Sequence, residues 1–74
     1  MKREIEVLNC AESKLKHLIN ESALIINDGA SRGGEEGLQK LERGLEEFAI
    51  ATIKMQALQN VKNQLIKTEE KNED

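Results

Sequence analysis

Helix-breaking signals in this chain are concentrated in one place. Asn27-Asp28-Gly29 reads as a helix stop with Gly29 available for the left-handed cap position, and Gly33-Gly34 follows a few residues later. There is no proline anywhere, so nothing else in the chain interrupts a helix with comparable force. Seven residues, DGASRGG, are too few for a domain linker and enough for two antiparallel helices to reverse. The expected fold is therefore all-α, a single antiparallel two-helix hairpin over 1–74 with helices at about 2–27 and 35–67. Gly29, Gly33 and Gly34 are its turn glycines. The polar ending KTEEKNED predicts a frayed, disordered tail over 68–74.

In the first segment, Leu8, Ala11, Leu15, Leu18, Ser22 and Ile25 recur at alternating three- and four-residue spacing, with Ile5, Ile19 and Ile26 beside them. Asn9, Ser13, Lys16, His17 and Asn20 take the opposite side. Glu12 sits at the margin of the stripe and is the weak point of the pattern. It also forms a favourably ordered i,i+4 pair with Lys16. Glu35 and Glu36 place negative charge on the first turn of the second helix, with Ser31 or Gly34 as its candidate cap.

The second segment carries two stripes. Leu38, Leu41, Leu45, Phe48, Thr52 and Met55 form one, assigned with Leu8, Leu15, Leu18 and Ile25 to the intra-hairpin core. Ile50, Ile53, Ala57, Leu58, Val61 and Leu65 form a second, roughly opposite, which has no mate inside the chain. Burying one large apolar side chain is worth about 1.5–3 kcal/mol, so a whole stripe left in water marks an interface. These six are the candidate partner-binding residues. The competing reading is a break or rotation near Thr52 that buries both stripes locally. A further column, Gly37, Gly44, Ala51 and Leu58, recurs every seven residues. Glycine inside a helix costs about 1 kcal/mol relative to alanine, which suggests close packing at Gly44; the competing reading is a loosely wound start at Gly37 with Gly44 merely tolerated.

So short a chain seldom closes a self-sufficient core without a disulfide, a metal or a partner. Cys10 is the sole cysteine, which excludes an internal disulfide and suits a reducing cytoplasm. His17 and Cys10 are the only soft metal ligands, so no metal and no cofactor is expected, and a partner remains. The net charge of −3, with one aromatic residue, argues against nucleic acid. No apolar run approaches a membrane span, and no secretory leader follows the basic N-terminal residues.

No catalytic constellation emerges, and the expectation is a protein that is not an enzyme. His17 with Glu21 at i+4 reads as a solvated pair. Cys10 has only Lys14 at helical contact spacing, too little to activate a thiol. The stretch SRGGEEG has glycines before a helix, as phosphate loops do, but lacks the Gly-Lys-Ser/Thr ending and carries two glutamates that repel phosphate.

Two short motifs carry a family resemblance. Arg32-Gly33-Gly34 at the turn and Ala49-Ile50-Ala51-Thr52-Ile53 in the second helix resemble the small E-type co-chaperones of type III secretion needle subunits. The resemblance implies a cytoplasmic, non-catalytic hairpin that docks on a helical-repeat chaperone of tetratricopeptide type. Through that chaperone it would act on the needle subunit, with Ile50 and Ile53 on or near the docking face. Two alternatives stand beside it: a self-assembling homodimeric four-helix bundle, and a small hairpin subunit of a larger helical complex.

Overall fold

The computed structural model describes the backbone of residues 2–72 and the side chains of 2–68. The chain is an all-α hairpin of two helices, α1 (Lys2–Arg32) and α2 (Gly34–Asn72). It measures 60 × 15 × 12 Å with a radius of gyration of 17.0 Å. A compact domain of this length would have a radius near 11 Å. The molecule is a rod two helices thick, and most of its side chains can reach solvent.

Asn27-Asp28-Gly29 does not stop α1. The helix runs five residues beyond Asn27, through Ser31, to Arg32, and only Gly33 separates it from α2. Gly33 and Gly34 both have left-handed backbone angles, φ 68° and 67°. The Gly33 N–H donates to the Gly29 carbonyl at 3.3 Å, the bond of a left-handed helix cap. The Gly33 carbonyl in turn accepts from the Gly37 N–H at 3.2 Å, which starts α2. Two consecutive positive-φ residues therefore reverse the chain, so neither Ser31 nor a seven-residue loop is needed.

Gly29 belongs to the helix for a different reason. A Cβ there would lie 2.7 Å from both the Gly37 carbonyl oxygen and the Leu41 nitrogen. A Cβ on Gly37 would meet the Gly29 carbonyl oxygen at 2.6 Å, and one on Gly44 would meet Ile26 Cγ1 at 2.8 Å. Near the tip the two backbones touch, and only glycine leaves room for that.

The far end of α2 also differs from expectation. The helix is assigned past Lys67 to Asn72; residues 73–74 lie outside the described residues. Thr68 Oγ1 donates to the Gln64 carbonyl at 2.9 Å, and the Lys and Glu residues that follow are good helix formers with no glycine or proline among them.

The seam between the helices follows two rows of alternating three- and four-residue steps. On α1 it is Ile5, Leu8, Glu12, Leu15, Ile19, Ser22, Ile26 and Gly29. On α2 it is Gly37, Leu41, Gly44, Phe48, Ala51, Met55, Leu58, Lys62 and Leu65. Every one of these residues is buried or half-buried. The pattern is a short antiparallel coiled-coil seam. Ser22 is the most enclosed side chain, 1% exposed. Its hydroxyl donates back to the Leu18 carbonyl at 2.5 Å, with the Ile19 carbonyl 3.2 Å away, so it brings no unsatisfied polar group into the seam.

Three of the expected core positions lie elsewhere. Leu18, Leu38 and Leu45 are 48%, 53% and 49% exposed. Thr52 is exposed as well, its Oγ1 donating to the Phe48 carbonyl at 2.7 Å. Leu8, Leu15, Ile25, Leu41, Phe48 and Met55 are at least half-buried, as the core assignment required. The true seam is rotated off the leucine stripes and onto the small residues. Gly37, Gly44 and Ala51, which the sequence left as a side column, are its closest-packed line.

Candidate docking faces

With the seam complete, the remaining apolar residues sort by their distance from it around each helix. Ile50, Ala57 and Val61 on α2 recur at steps of seven and four, and all three are exposed. Leu18 of α1 meets this column: Leu15 and Leu18 share one shallow groove with Glu47, Ile50, Ala51 and Lys54. Toward the open end, Val7 and Leu8 line a separate hollow with Leu65, Arg3 and Glu4. This is the first flank of the hairpin.

The second flank lies on the other side of the seam, nearer the tip. Leu38 and Leu45 are exposed there, and Leu38 lines a hollow with Ala30, Leu41 and the turn glycines. Ile53 belongs to neither flank. At 68% exposed, it points away from α1, as Leu24 does from α2.

The six proposed partner-binding residues are therefore not one surface. Ile50, Ala57 and Val61 share the first flank, and Ile53 stands alone on the outer edge. Leu58 and Leu65 lie on the seam row facing α1, half-buried. Leu58 follows buried Met55 in that row, and Leu65 closes it against Leu8. Within FAIATIKM, Phe48, Ala51 and Met55 turn inward while Ile50 and Ile53 turn out. The helix does not break near Thr52.

Among the described residues, two ion pairs cross the seam, one toward each end. At the tip, Lys40 Nζ donates to Asp28 Oδ2, and Arg32 Nε lies 3.1 Å from the same oxygen. The hydrogen bond from Lys40, with Arg32 adding to it, holds the Asp28 carboxyl below its ordinary value. Toward the open end, Lys62 Nζ lies 3.5 Å from Glu12 Oε2, both side chains 23% exposed. Glu12 also keeps its looser contact with Lys16 at 3.9 Å. The margin residue of the α1 pattern thus faces the one lysine in the α2 row. A polar pair at a seam position fixes register, because any slip leaves both charges half-buried and unpaired.

The remaining chemistry is sparse. His17 Nε2 lies 3.0 Å from Glu21 Oε1 on an exposed part of α1, and Cys10 is exposed. Among the described residues, no three His, Cys, Asp or Glu side chains converge as a metal site requires. No helix is long and apolar enough to cross a membrane. Comparison with family models, with curated proteins and with solved structures yields no match.

Proposed function

We propose that this chain is a non-catalytic docking module, a helical hairpin that presents apolar surface to another protein. The observation that supports it most is the first flank: Leu18, Ile50, Ala57 and Val61 stay in solvent in the closed hairpin. Isolated exposed apolar residues are ordinary, but several on one flank, one of them sharing a groove with the opposite helix, are characteristic of interfaces.

The resemblance carried by Arg32-Gly33-Gly34 and by Ala49–Ile53 gives this reading one specific form. The chain acts in the cytoplasm as a co-chaperone of a type III secretion needle subunit. It binds a tetratricopeptide-type chaperone and stabilises the hold of that chaperone on the subunit. Cys10 suits that compartment, since an exposed lone thiol stays reduced there. The positive φ of both turn glycines gives the Arg-Gly-Gly element a structural role in keeping the flanks side by side.

The test is titration of the purified chain into a purified needle-subunit chaperone of this type, read by calorimetry. The expected result is a 1:1 complex at micromolar affinity or tighter, lost in Ile50→Asp while far-ultraviolet dichroism keeps its helical signature. A complex that Ile50→Asp leaves intact would move the site to another surface. Absence of binding would leave the docking module without this partner.

A further inference from the structure

The first flank carries a charge pattern that selects its occupant. Asp28 pairs with Lys40 across the tip, which sets the register of the two helices. Ten residues further along each, Leu18 and Ile50 line one groove. On α1, Glu21 lies about 4.5 Å from Leu18 toward the tip, and Lys14 about 6 Å toward the open end. On α2 the order is the same: Glu47 is about 4.5 Å from Ile50 toward the tip and Lys54 about 6 Å toward the open end. The flank is thus a ladder in which like charge faces like charge across the seam, Glu21 beside Glu47 and Lys14 beside Lys54. All four side chains are exposed. Among the described residues, Lys14, Lys54 and Glu47 have no ion-pair partner, and Glu21 has only exposed His17.

Resting on the docking-module reading, we propose that the occupant of this flank in the absence of the chaperone, which would displace it, is a second copy of the same chain, face to face and antiparallel, about a twofold axis at the level of Leu18 and Ile50. That operator lays each helix on its own counterpart. Glu21 then meets Lys14 of the second copy, Glu47 meets Lys54, and each contact occurs twice. Leu18 packs on Leu18 and Ile50 on Ile50 at the centre. A parallel pair sets acid level on acid level and base level on base level, so the charges permit one orientation and oppose the other. The polar rungs bracket an apolar centre, as they do in ordinary interfaces.

Sedimentation equilibrium of the full chain at physiological salt reads the association directly. The expected result is a monomer–dimer equilibrium. Lys14→Glu with Lys54→Glu makes both levels acidic and weakens it at least about tenfold, since like-charge juxtaposition costs several kcal/mol. Adding Glu21→Lys and Glu47→Lys to that variant restores the dimer, because the exchanged ladder is again self-complementary. In a Cys10→Ser background, Leu18→Cys forms a cross-chain disulfide under mild oxidation, which a parallel pair, placing Leu18 on Ile50, does not permit. A dimer indifferent to the double charge reversal overturns this face. A chain that stays monomeric at several times ordinary working concentration overturns self-association. If that monomer still binds the chaperone or an apolar dye, the docking module stands without it; if it binds neither, both readings fall.

Discussion

Near the tip, the seam row carries the small residues Ser22 and Gly29 on one helix and Gly37, Gly44 and Ala51 on the other, with Ile26, Leu41 and Phe48 between them. Near the open end, the corresponding row is Leu8 and Leu15 against Leu58 and Leu65. The tip half is held by backbone packed on backbone, with hypothetical Cβ atoms 2.6–2.8 Å from main-chain or Ile26 atoms. The open half is held by interdigitating leucines that stay half-exposed. The first gains van der Waals contact along the main chain but pays for it in helix propensity; the second gains apolar burial but tolerates loose fit. A two-helix rod needs both. Its tip is narrow enough to reverse on Gly33 and Gly34, and its most enclosed apolar side chains, Ala51 and Met55, lie where the two halves meet.

The sharpest way to break this comparison is to add volume at the tip. Gly29→Val should cost about 3 kcal/mol or more, because the obstructing atoms belong to the backbone of α2 and cannot rotate away. The check is a urea melt followed by dichroism. A neutral result would mean that the helices are not in contact there.

Removing volume in the open half should cost less. Leu58→Ala is expected to lose about 2 kcal/mol by the same measurement, the low end for buried leucine, because Leu58 is only half-buried. Met55→Ala, at the boundary of the two halves and more enclosed, should exceed it. A reversed order would place the hydrophobic centre nearer the open end than the burial pattern does.

Strain can be separated from crowding at the turn. Gly33→Ala meets nothing within 4 Å but must adopt φ 68°, so it should cost about 1–2 kcal/mol, less than Gly29→Val. Equal losses at the two positions would erase the distinction between a conformational glycine and a close-packing one.

The seam ion pair gives a smaller effect of the opposite sign. Glu12→Leu with Lys62→Leu should be neutral or stabilising by about 1 kcal/mol, since the apolar pair avoids desolvating two charges. The same variant should show broadened or doubled amide resonances, the mark of mixed registers, by nuclear magnetic resonance if the pair sets register. A single sharp state would assign register to the glycines alone.

The smallest effect is that of pH on the tip. The folded Asp28 carboxyl titrates below its ordinary value of 3.8, so the Lys40 and Arg32 contacts stabilise the fold fully above that value. That contribution is lost as pH falls through the lowered folded value. The acid limb of helicity should therefore flatten in Asp28→Asn. An unchanged limb would show that the exposed clamp adds nothing to stability.

Much of this was legible in the residues. The number of helices, a reversal within DGASRGG and the exposure of Ile50 and Ile53 follow from glycine placement and apolar spacing. Rotation about the helix axes did not follow. Leu18, Leu38 and Leu45 outweigh Ser22, Gly37 and Gly44 in any hydrophobic projection, so the apparent stripe turns toward the leucines. The actual seam turns toward whatever lets the backbones approach, and glycine has almost no hydrophobic signal. The seven-residue recurrence of Gly37, Gly44 and Ala51 was the available clue. Its counterpart on α1, Ser22 and Gly29, was hidden because Gly29 reads equally well as a helix stop.

By itself the amino-acid order determined that this chain is a helical hairpin with more apolar surface than one seam consumes. Periodicity and turn chemistry are local, and both helices obey them within a few residues of each other. Only the tertiary structure decided which side of each helix turns inward, because that depends on how closely two backbones can pack. That choice placed Glu12 opposite Lys62, moved Leu58 and Leu65 into the seam, and left Leu18 and Ile50 together in solvent between a rung of lysines and a rung of glutamates.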